Sequence, residues 1–125
     1  MTALILLVDF RAAQTATYEA LFREAGYAVL DSPAVSLTTP LRGLPRPALA
    51  LFNLGSDAVL GLGTALALIS HPALRGVPVL LVNPQPAAVL TGRDLTWAGG
   101  VVTLPISDAD LLARVAQLVT PAPGI

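Results

Sequence analysis

The sequence contains no cysteine and no lysine. Without cysteine, disulfide bonds and thiolate metal sites are excluded. Without lysine, the phosphate-binding loop that ends in Gly-Lys-Ser/Thr is excluded as well. The glycines Gly55, Gly61 and Gly63 match neither the spacing of that loop nor the dinucleotide-binding fingerprint. We interpret them as part of a loop and of the start of a helix.

Charged residues are also scarce, at 12% of the chain against the usual quarter or so, and the net charge is −1. No basic stripe exists that could neutralise a run of phosphates, so we expect no nucleic-acid binding. Hydrophobic residues make up 54%, which argues against disorder. We predict one domain over residues 1–119, followed by a flexible tail over residues 120–125.

Long hydrophobic runs are missing. No apolar stretch approaches the roughly 20 residues that span a bilayer. The apolar start Met1–Val8 is short, Asp9 and Arg11 follow it, and it lacks the basic leader and cleavage site of a signal peptide. We expect a cytoplasmic protein that has no membrane contact.

Catalytic groupings are missing too. The single histidine, His71, precedes Pro72 and is typical of a helix end at the surface rather than of a phosphorelay or ligand residue. Ser56 and Ser70 have no histidine-based relay with a recognisable signature. The sequence offers neither a metal constellation nor an acid–base pair, so we predict that the protein is not an enzyme.

The apolar segments that remain are of two alternating kinds. Short continuous runs are typical of strands buried on both faces of a parallel sheet; they cover Leu4–Val8, Gly26–Leu30, Ala48–Phe52, Val79–Val82 and Gly100–Leu104. Helical spacing predicts helices over Ala12–Ala25, Asp57–His71, Ala87–Thr96 and a last segment that Ser107 precedes. Prolines within Ser32–Arg46 predict a short or distorted helix there.

Strands that alternate with helices indicate parallel βαβ units, and right-handed crossovers place helices on both faces of the sheet. We therefore predict an α/β fold. It is a flavodoxin-like, doubly wound, five-stranded parallel sheet between two helical layers, in a three-layer α/β/α arrangement.

Local sequences narrow the choice among such folds. Ile5–Asp9 is similar to a first strand that ends in an acidic pair, and Glu24–Val29 to a first helix end with its second strand. Leu49–Leu54 stands where a phosphoacceptor strand lies, Val77–Asn83 is similar to a fourth strand, and Ala98–Ile106 to a last strand with a Lys-Pro dipeptide. In this order the segments resemble bacterial response-regulator receiver domains over nearly the whole chain.

The resemblance implies a signalling domain whose phosphorylation site is altered. A receiver accepts phosphate on an aspartate, which must act as an ionised nucleophile. Asn53 stands at that position, and its amide is a poor nucleophile. The family binds Mg²⁺ through an acidic pair and the phosphoacceptor; here Asp9 remains and Phe10 replaces its partner. We expect no cofactor and lost or weak Mg²⁺ binding.

The remaining family positions are altered as well. The lysine that pairs with the phosphoryl group is replaced by Leu104, directly before the retained Pro105. Asn83 stands in place of the switch hydroxyl, and Val101 in place of the switch aromatic. The resemblance thus implies a degenerate phosphoacceptor pocket formed by six residues: Asp9, Phe10, Asn53, Asn83, Leu104 and Pro105.

Simpler interpretations of these residues stay open. Asn53 fits a turn cap as well as a polar pocket. Asp9 fits a solvated strand end or a helix cap as well as a hydrogen-bonding partner of the asparagines. Trp97, the single tryptophan, fits a core filler or an interface anchor.

Two functions are consistent with this pattern. The first is a pseudo-receiver in two-component-type signalling that acts through a protein partner or a homodimer. The resemblance implies that its contact surface would be the face from Ala87 to Val119, and the low charge predicts an apolar patch on the surface. The second is a small-molecule-binding domain that uses the degenerate pocket at the carboxyl ends of the strands.

Overall fold

The computed structural model describes residues 3–9, 12–33, 47–54, 58–70, 74–83, 97–103 and 106–119. The elements follow in the order β1 Leu4–Asp9, α1 Ala12–Glu24, β2 Ala28–Pro33, β3 Leu49–Asn53, α2 Ala58–Ile69, β4 Val79–Asn83, β5 Gly100–Thr103 and α3 Asp108–Val119. All five predicted strands are confirmed, with ends that shift by a few residues. The predicted helix over Ala87–Thr96 lies outside the described residues, as do residues 34–46 of the predicted irregular segment.

The five strands form one parallel sheet in the order β2-β1-β3-β4-β5. The chain adds β2 on one side of β1 and then adds β3, β4 and β5 on the other side. The predicted flavodoxin-like, doubly wound sheet is therefore confirmed. Its strand order reverses between β1 and β3, which is the topological switch point where ligands of such sheets bind.

Apolar side chains on the two faces of the sheet form two separate cores. The α2-side core contains Leu6, Val8, Ala50, Phe52, Leu54, Leu62, Ala65, Leu74, Val77, Val79 and Leu81. The α1/α3-side core contains Ile5, Leu7, Tyr18, Phe22, Val29, Leu49, Leu51, Leu80, Val82, Val102, Leu111 and Val115. Successive strand residues alternate between the two cores, and helices cover both faces. This arrangement explains why the strands are continuous apolar runs.

Helix α1 buries a different set of residues from the one that its spacing predicts. Tyr18 is buried as expected, but Phe22 is its main partner: Phe22 is 0% exposed, and the two rings stack with centroids 6.3 Å apart. Ala25, predicted on the buried face, is exposed and belongs to the turn after the helix. Gly26 follows with a φ of 98°, which confirms its predicted role as the C-terminal cap.

Helix α3 begins and packs as the sequence predicts. The Ser107 hydroxyl oxygen accepts a hydrogen bond from the Asp110 backbone N–H at 3.1 Å, which is an N-cap. Asp108 and Asp110 lie in the first turn, where the helix dipole favours negative charge. Leu111 and Val115 are buried against the sheet. The cap fixes where the helix starts, and the apolar pair fixes which face it buries.

Helix α2 lies unusually close to the end of β3. A Cβ atom at Gly61 would overlap the backbone carbonyl oxygen of Leu54, whereas one at Gly63 would meet open space. Both glycines are inside α2, and Gly55 lies outside the described residues. Although α2 has no charged residue, neither it nor any other helix in the described ranges is long and apolar enough to cross a membrane.

Candidate functional site

Three polar residues end three neighbouring strands at the carboxyl edge of the sheet. Asp9 ends β1, Asn53 ends β3 and Asn83 ends β4. Asp9 and Asn53 are direct partners in the parallel register, so they flank the topological switch point. We call these three residues the strand-end site. It lies where an open α/β sheet offers space for a ligand.

Both asparagines of this site are fully buried. Asn53 and Asn83 are each 0% exposed and are the buried polar residues among those that the structure describes. A neutral amide is tolerated in such a position when it is hydrogen-bonded, whereas an ionised carboxylate needs a counter-charge or a metal. The buried positions therefore suit the amides that the sequence places there.

Strand alternation places the two amides on opposite faces of the sheet. Asn53 is in register with Val82 and shares the α1/α3 face, while Asn83 is in register with Thr103 and shares the α2 face. The two amides flank the β3–β4 pair from either side, and they can converge only beyond the strand ends.

Within the described part of the chain, two amide atoms make no hydrogen bond: Oδ1 of Asn53 and Nδ2 of Asn83. Each residue interacts through other atoms. A buried polar atom that makes no hydrogen bond costs about 1–3 kcal/mol. The amides are therefore anchored in part, at some cost to the free energy of folding.

The other predicted pocket residues are only partly described. Phe10, Leu104 and Pro105 lie outside the described residues, and only the backbone of Asp9 is described. Val101, the predicted switch position, is partly buried, packs against the α2-side core and is in register with Leu81. The structure thus places Asp9, Asn53 and Asn83 at the ends of neighbouring strands, while the roles assigned to all six pocket residues stay predictions.

A groove of about 380 Å³ opens at the opposite edge of the sheet, at the amino ends of β4 and β5. Its walls include Ile69, Pro78 and Trp97. Trp97 is partly buried and packs against the α2-side core, which agrees with its interpretation as a filler. The groove is separated from the strand-end site by the length of the strands.

Gly61 is the residue near the site whose importance the sequence analysis missed. It allows α2 to approach the carbonyl of Leu54, which directly follows Asn53. The Leu54 N–H donates to the Val82 carbonyl at 2.9 Å, so the β3–β4 ladder extends to this point. A glycine in the second turn of a predicted helix, after a strand, was the available signal for such close packing.

No family model matches the sequence, and no curated protein matches it significantly. Solved structures do match, and receiver domains are among them. One is the signal receiver domain of a histidine kinase from Syntrophus aciditrophicus: 22% identity, TM-score 0.76, with 99% of this chain and 98% of that one covered. A second is a CheY-like receiver domain protein from Methanospirillum hungatei, with 20% identity, TM-score 0.76, and coverage of 95% and 94%.

A third is the receiver domain of a sensor histidine kinase from Pseudomonas aeruginosa, solved with a magnesium ion coordinated in its active-site cleft. It shares 18% identity at a TM-score of 0.71, with 95% of this chain and 98% of that one covered. Identities at this level establish similarity of fold. The chain therefore has the CheY-like receiver fold, as its sequence resemblance implied.

Proposed function

We propose that this chain is a receiver-like signalling module that is not phosphorylated on an aspartate. In this proposal it acts through protein contacts in two-component-type signal transduction, and it is not an enzyme. The observation that carries the proposal is Asn53: a neutral amide, 0% exposed, at the end of β3 beside the topological switch point of a receiver fold.

The chemistry of phosphoryl transfer supports this proposal. A phosphoacceptor side chain must supply an electron pair from an ionised oxygen. The Asn53 amide has no charge to supply. Asp9, its partner in register, keeps a carboxylate. In the receiver domains that this chain resembles, the matching carboxylate holds the metal and does not accept the phosphoryl group.

The donor set at the strand ends also fits Mg²⁺ poorly. This ion prefers oxygen ligands with carboxylate charge and near-octahedral geometry. The strand-end site offers one acidic residue and two amides, and the residue that follows Asp9 is Phe10. The structure of the Pseudomonas aeruginosa receiver domain holds Mg²⁺ in its cleft. For this chain we propose that Mg²⁺ binding is lost or weak.

In the absence of phosphorylation, the proposed signal is transmitted by contacts at the protein surface. The face proposed from sequence, Ala87–Val119, is described over residues 97–103 and 106–119. Its helix α3 exposes mainly polar and small residues, among them Asp110, Ala113 and Arg114. This face suits a polar contact with a partner protein. The exposed large hydrophobic residues of the described structure lie elsewhere, on α2.

Incubation with acetyl phosphate and Mg²⁺ tests the central claim. We expect the intact mass of the wild-type protein to stay unchanged, because Asn53 cannot accept the phosphoryl group. The Asn53→Asp variant is the matched control, since it restores the carboxylate without changing the side-chain shape. A stoichiometric, acid-stable gain of one phosphoryl group by the wild type, mapped to the strand-end site, would refute the proposal.

The second candidate function is the binding of a small neutral molecule at the strand-end site. It is favoured by two fully buried amides at the carboxyl edge of the sheet, because amides recognise uncharged polar groups. A thermal-shift screen of neutral polar metabolites distinguishes the two functions. A compound that stabilises the wild type, but not an Asn83→Leu variant, would favour ligand binding.

A further inference from the structure

Helix α2 carries an outer face without charge. Its sequence from Ala58 to Ile69 has no ionisable residue, whereas α1 and α3 each carry acidic and basic residues. Leu60 is 68% exposed and Leu66 is 40% exposed, and they are the large hydrophobic residues exposed within the described ranges. A surface helix normally turns polar residues outward, so this face departs from the pattern.

The hydroxyl groups on α2 and just after it donate to backbone carbonyls of the helix. Thr64 donates its hydroxyl hydrogen to the Leu60 carbonyl at 3.1 Å, and Ser70, just after the helix, donates to the Leu66 carbonyl at 3.0 Å. These bonds satisfy the donors inside the helix itself. Because both hydroxyl donors already have acceptors within the helix, they do not need hydrogen bonds from water. A partner could therefore cover this face without leaving either donor unsatisfied.

We propose that this face binds the same face of a second copy of the chain. Leu60, Gly63, Ala67 and Ser70 are all exposed and follow a three-four-three spacing, which is the seam of a packed helix pair. In an antiparallel pair about a two-fold axis, Leu60 lies against Ser70 of the second copy and Gly63 lies against Ala67. Leucine then meets serine at each end of the seam, and small residues meet at its centre, where the two helices can approach closely, so the face is complementary to itself.

The charge pattern is compatible with a second copy as the partner. A two-fold axis brings two copies of the same face together, so a face with charges of one sign would repel itself. The α2 face has no charge to repel. A second copy would be one partner for the protein-contact role proposed above, and this proposal rests on the proposed function only for that role. The acetyl phosphate experiment tests the absence of phosphorylation separately, so either proposal can fail without the other.

The area of the α2 face determines how tightly we expect two copies to bind. The 12 residues of α2 extend roughly 18 Å. One helix seam of that length buries less than the ~800 Å² per partner that a standard stable interface has. We therefore expect a weak dimer, with a dissociation constant in roughly the micromolar to millimolar range.

Sedimentation velocity of the full chain over rising concentrations tests the proposal. We expect a monomer–dimer equilibrium for the wild type, and a dissociation constant at least about tenfold higher for Leu60→Glu, because two like charges would be buried at the seam. Ala67→Glu should act in the same way. Ala20→Glu, at an exposed position of α1, is the matched control and should change the constant less than about twofold. Ala113→Glu, on the α3 face, tests the alternative contact.

Circular dichroism and urea unfolding must show that each variant folds as the wild type does. A second measurement uses the absence of native cysteine: Ala67→Cys should link into dimers with a short bis-maleimide, and Ala113→Cys should not. A wild type that stays monomeric up to millimolar concentration would overturn the proposal. So would a dimer that Ala113→Glu disrupts and Leu60→Glu leaves intact, which would place the contact on the α3 face.

Discussion

At the level of single residues, two buried asparagines lie at the strand ends, and one of them is beside an acidic residue. Asn53 and Asn83 each end one of two neighbouring strands, on opposite faces of the sheet, and both are fully buried. They differ in their neighbours: Asn53 is opposite Asp9 in register, while Asn83 is opposite Thr103. The same substitution at the two positions therefore separates the effect of burial from the effect of a nearby carboxylate.

Asn53→Asp and Asn83→Asp should both lower the free energy of unfolding in the absence of divalent cations. Each buries a carboxylate of nearly the same shape as the amide, at a cost of about 2 kcal/mol or more. Millimolar Mg²⁺ should restore more of that loss in Asn53→Asp, because two acidic residues then flank the switch point. Urea unfolding with and without Mg²⁺ measures the difference.

The wild type is the reference for this comparison. Its unfolding free energy should not change when Mg²⁺ is added, because the strand-end site supplies a single acidic residue. A wild type that Mg²⁺ stabilises as much as it stabilises Asn53→Asp would show that the amides hold the ion, and the proposed loss of Mg²⁺ binding would be wrong.

At the scale of secondary-structure elements, the contact between α2 and β3 controls the surroundings of the strand-end site. The helix passes so close to the Leu54 carbonyl that a side chain at Gly61 has no space, while Gly63, two residues later, faces open space. Two glycines in one helix thus have different roles. Gly61 is required by packing inside the chain, whereas a side chain at Gly63 would meet nothing inside the chain, and Gly63 lowers helix propensity there.

Gly61→Ala and Gly63→Ala should change stability in opposite directions. Alanine at position 63 should stabilise the protein by about 0.5–1 kcal/mol through helix propensity and unfolded-state entropy. Alanine at position 61 gains the same propensity but forces α2 away from β3, at an overpacking cost of about 1–3 kcal/mol. We expect a net loss for Gly61→Ala. Urea unfolding of both variants checks the signs, and equal gains would disprove the close approach.

At the scale of the whole molecule, one sheet separates two cores. Phe52 lies in the α2-side core, and Phe22 lies in the α1/α3-side core; both are 0% exposed. The strands β1, β3 and β4 contribute residues to both cores. Since each strand is shared, neither core can lose its packing without disturbing the other, and the described structure should unfold as one cooperative unit.

Phe22→Ala tests this coupling across the sheet. The cavity should lower the free energy of unfolding by about 3–5 kcal/mol. Trp97 packs on the opposite side, against the α2-side core, and it is the single tryptophan of the chain. We expect its fluorescence to report the same lowered transition that circular dichroism reports. A Trp97 transition that stays at the wild-type denaturant concentration would show that the two cores unfold separately.

The extent of prediction from sequence can be judged at particular elements. The strand runs predicted all five strands, because residues buried on both faces leave continuous apolar segments. The Ser107 cap and the Gly26 turn were predicted because their signals are local in the chain. The buried face of α1 was predicted only in part: Phe22 fits a helical face as well as Ala25 does, and the sheet beneath decides which one it covers.

The order of elements, the fold class and the chemical identity of the strand-end residues could all be inferred without the structure. Asn53 is an amide whatever the fold, so the proposed absence of aspartyl phosphorylation there rests on the identity of this residue. The tertiary structure decided that Asp9 is in register with Asn53 and that Asn83 lies on the opposite face. It also decided that Leu60 is exposed and that Gly61 meets Leu54. Register, exposure and close approach depend on residues distant in the chain, and no local pattern encodes them.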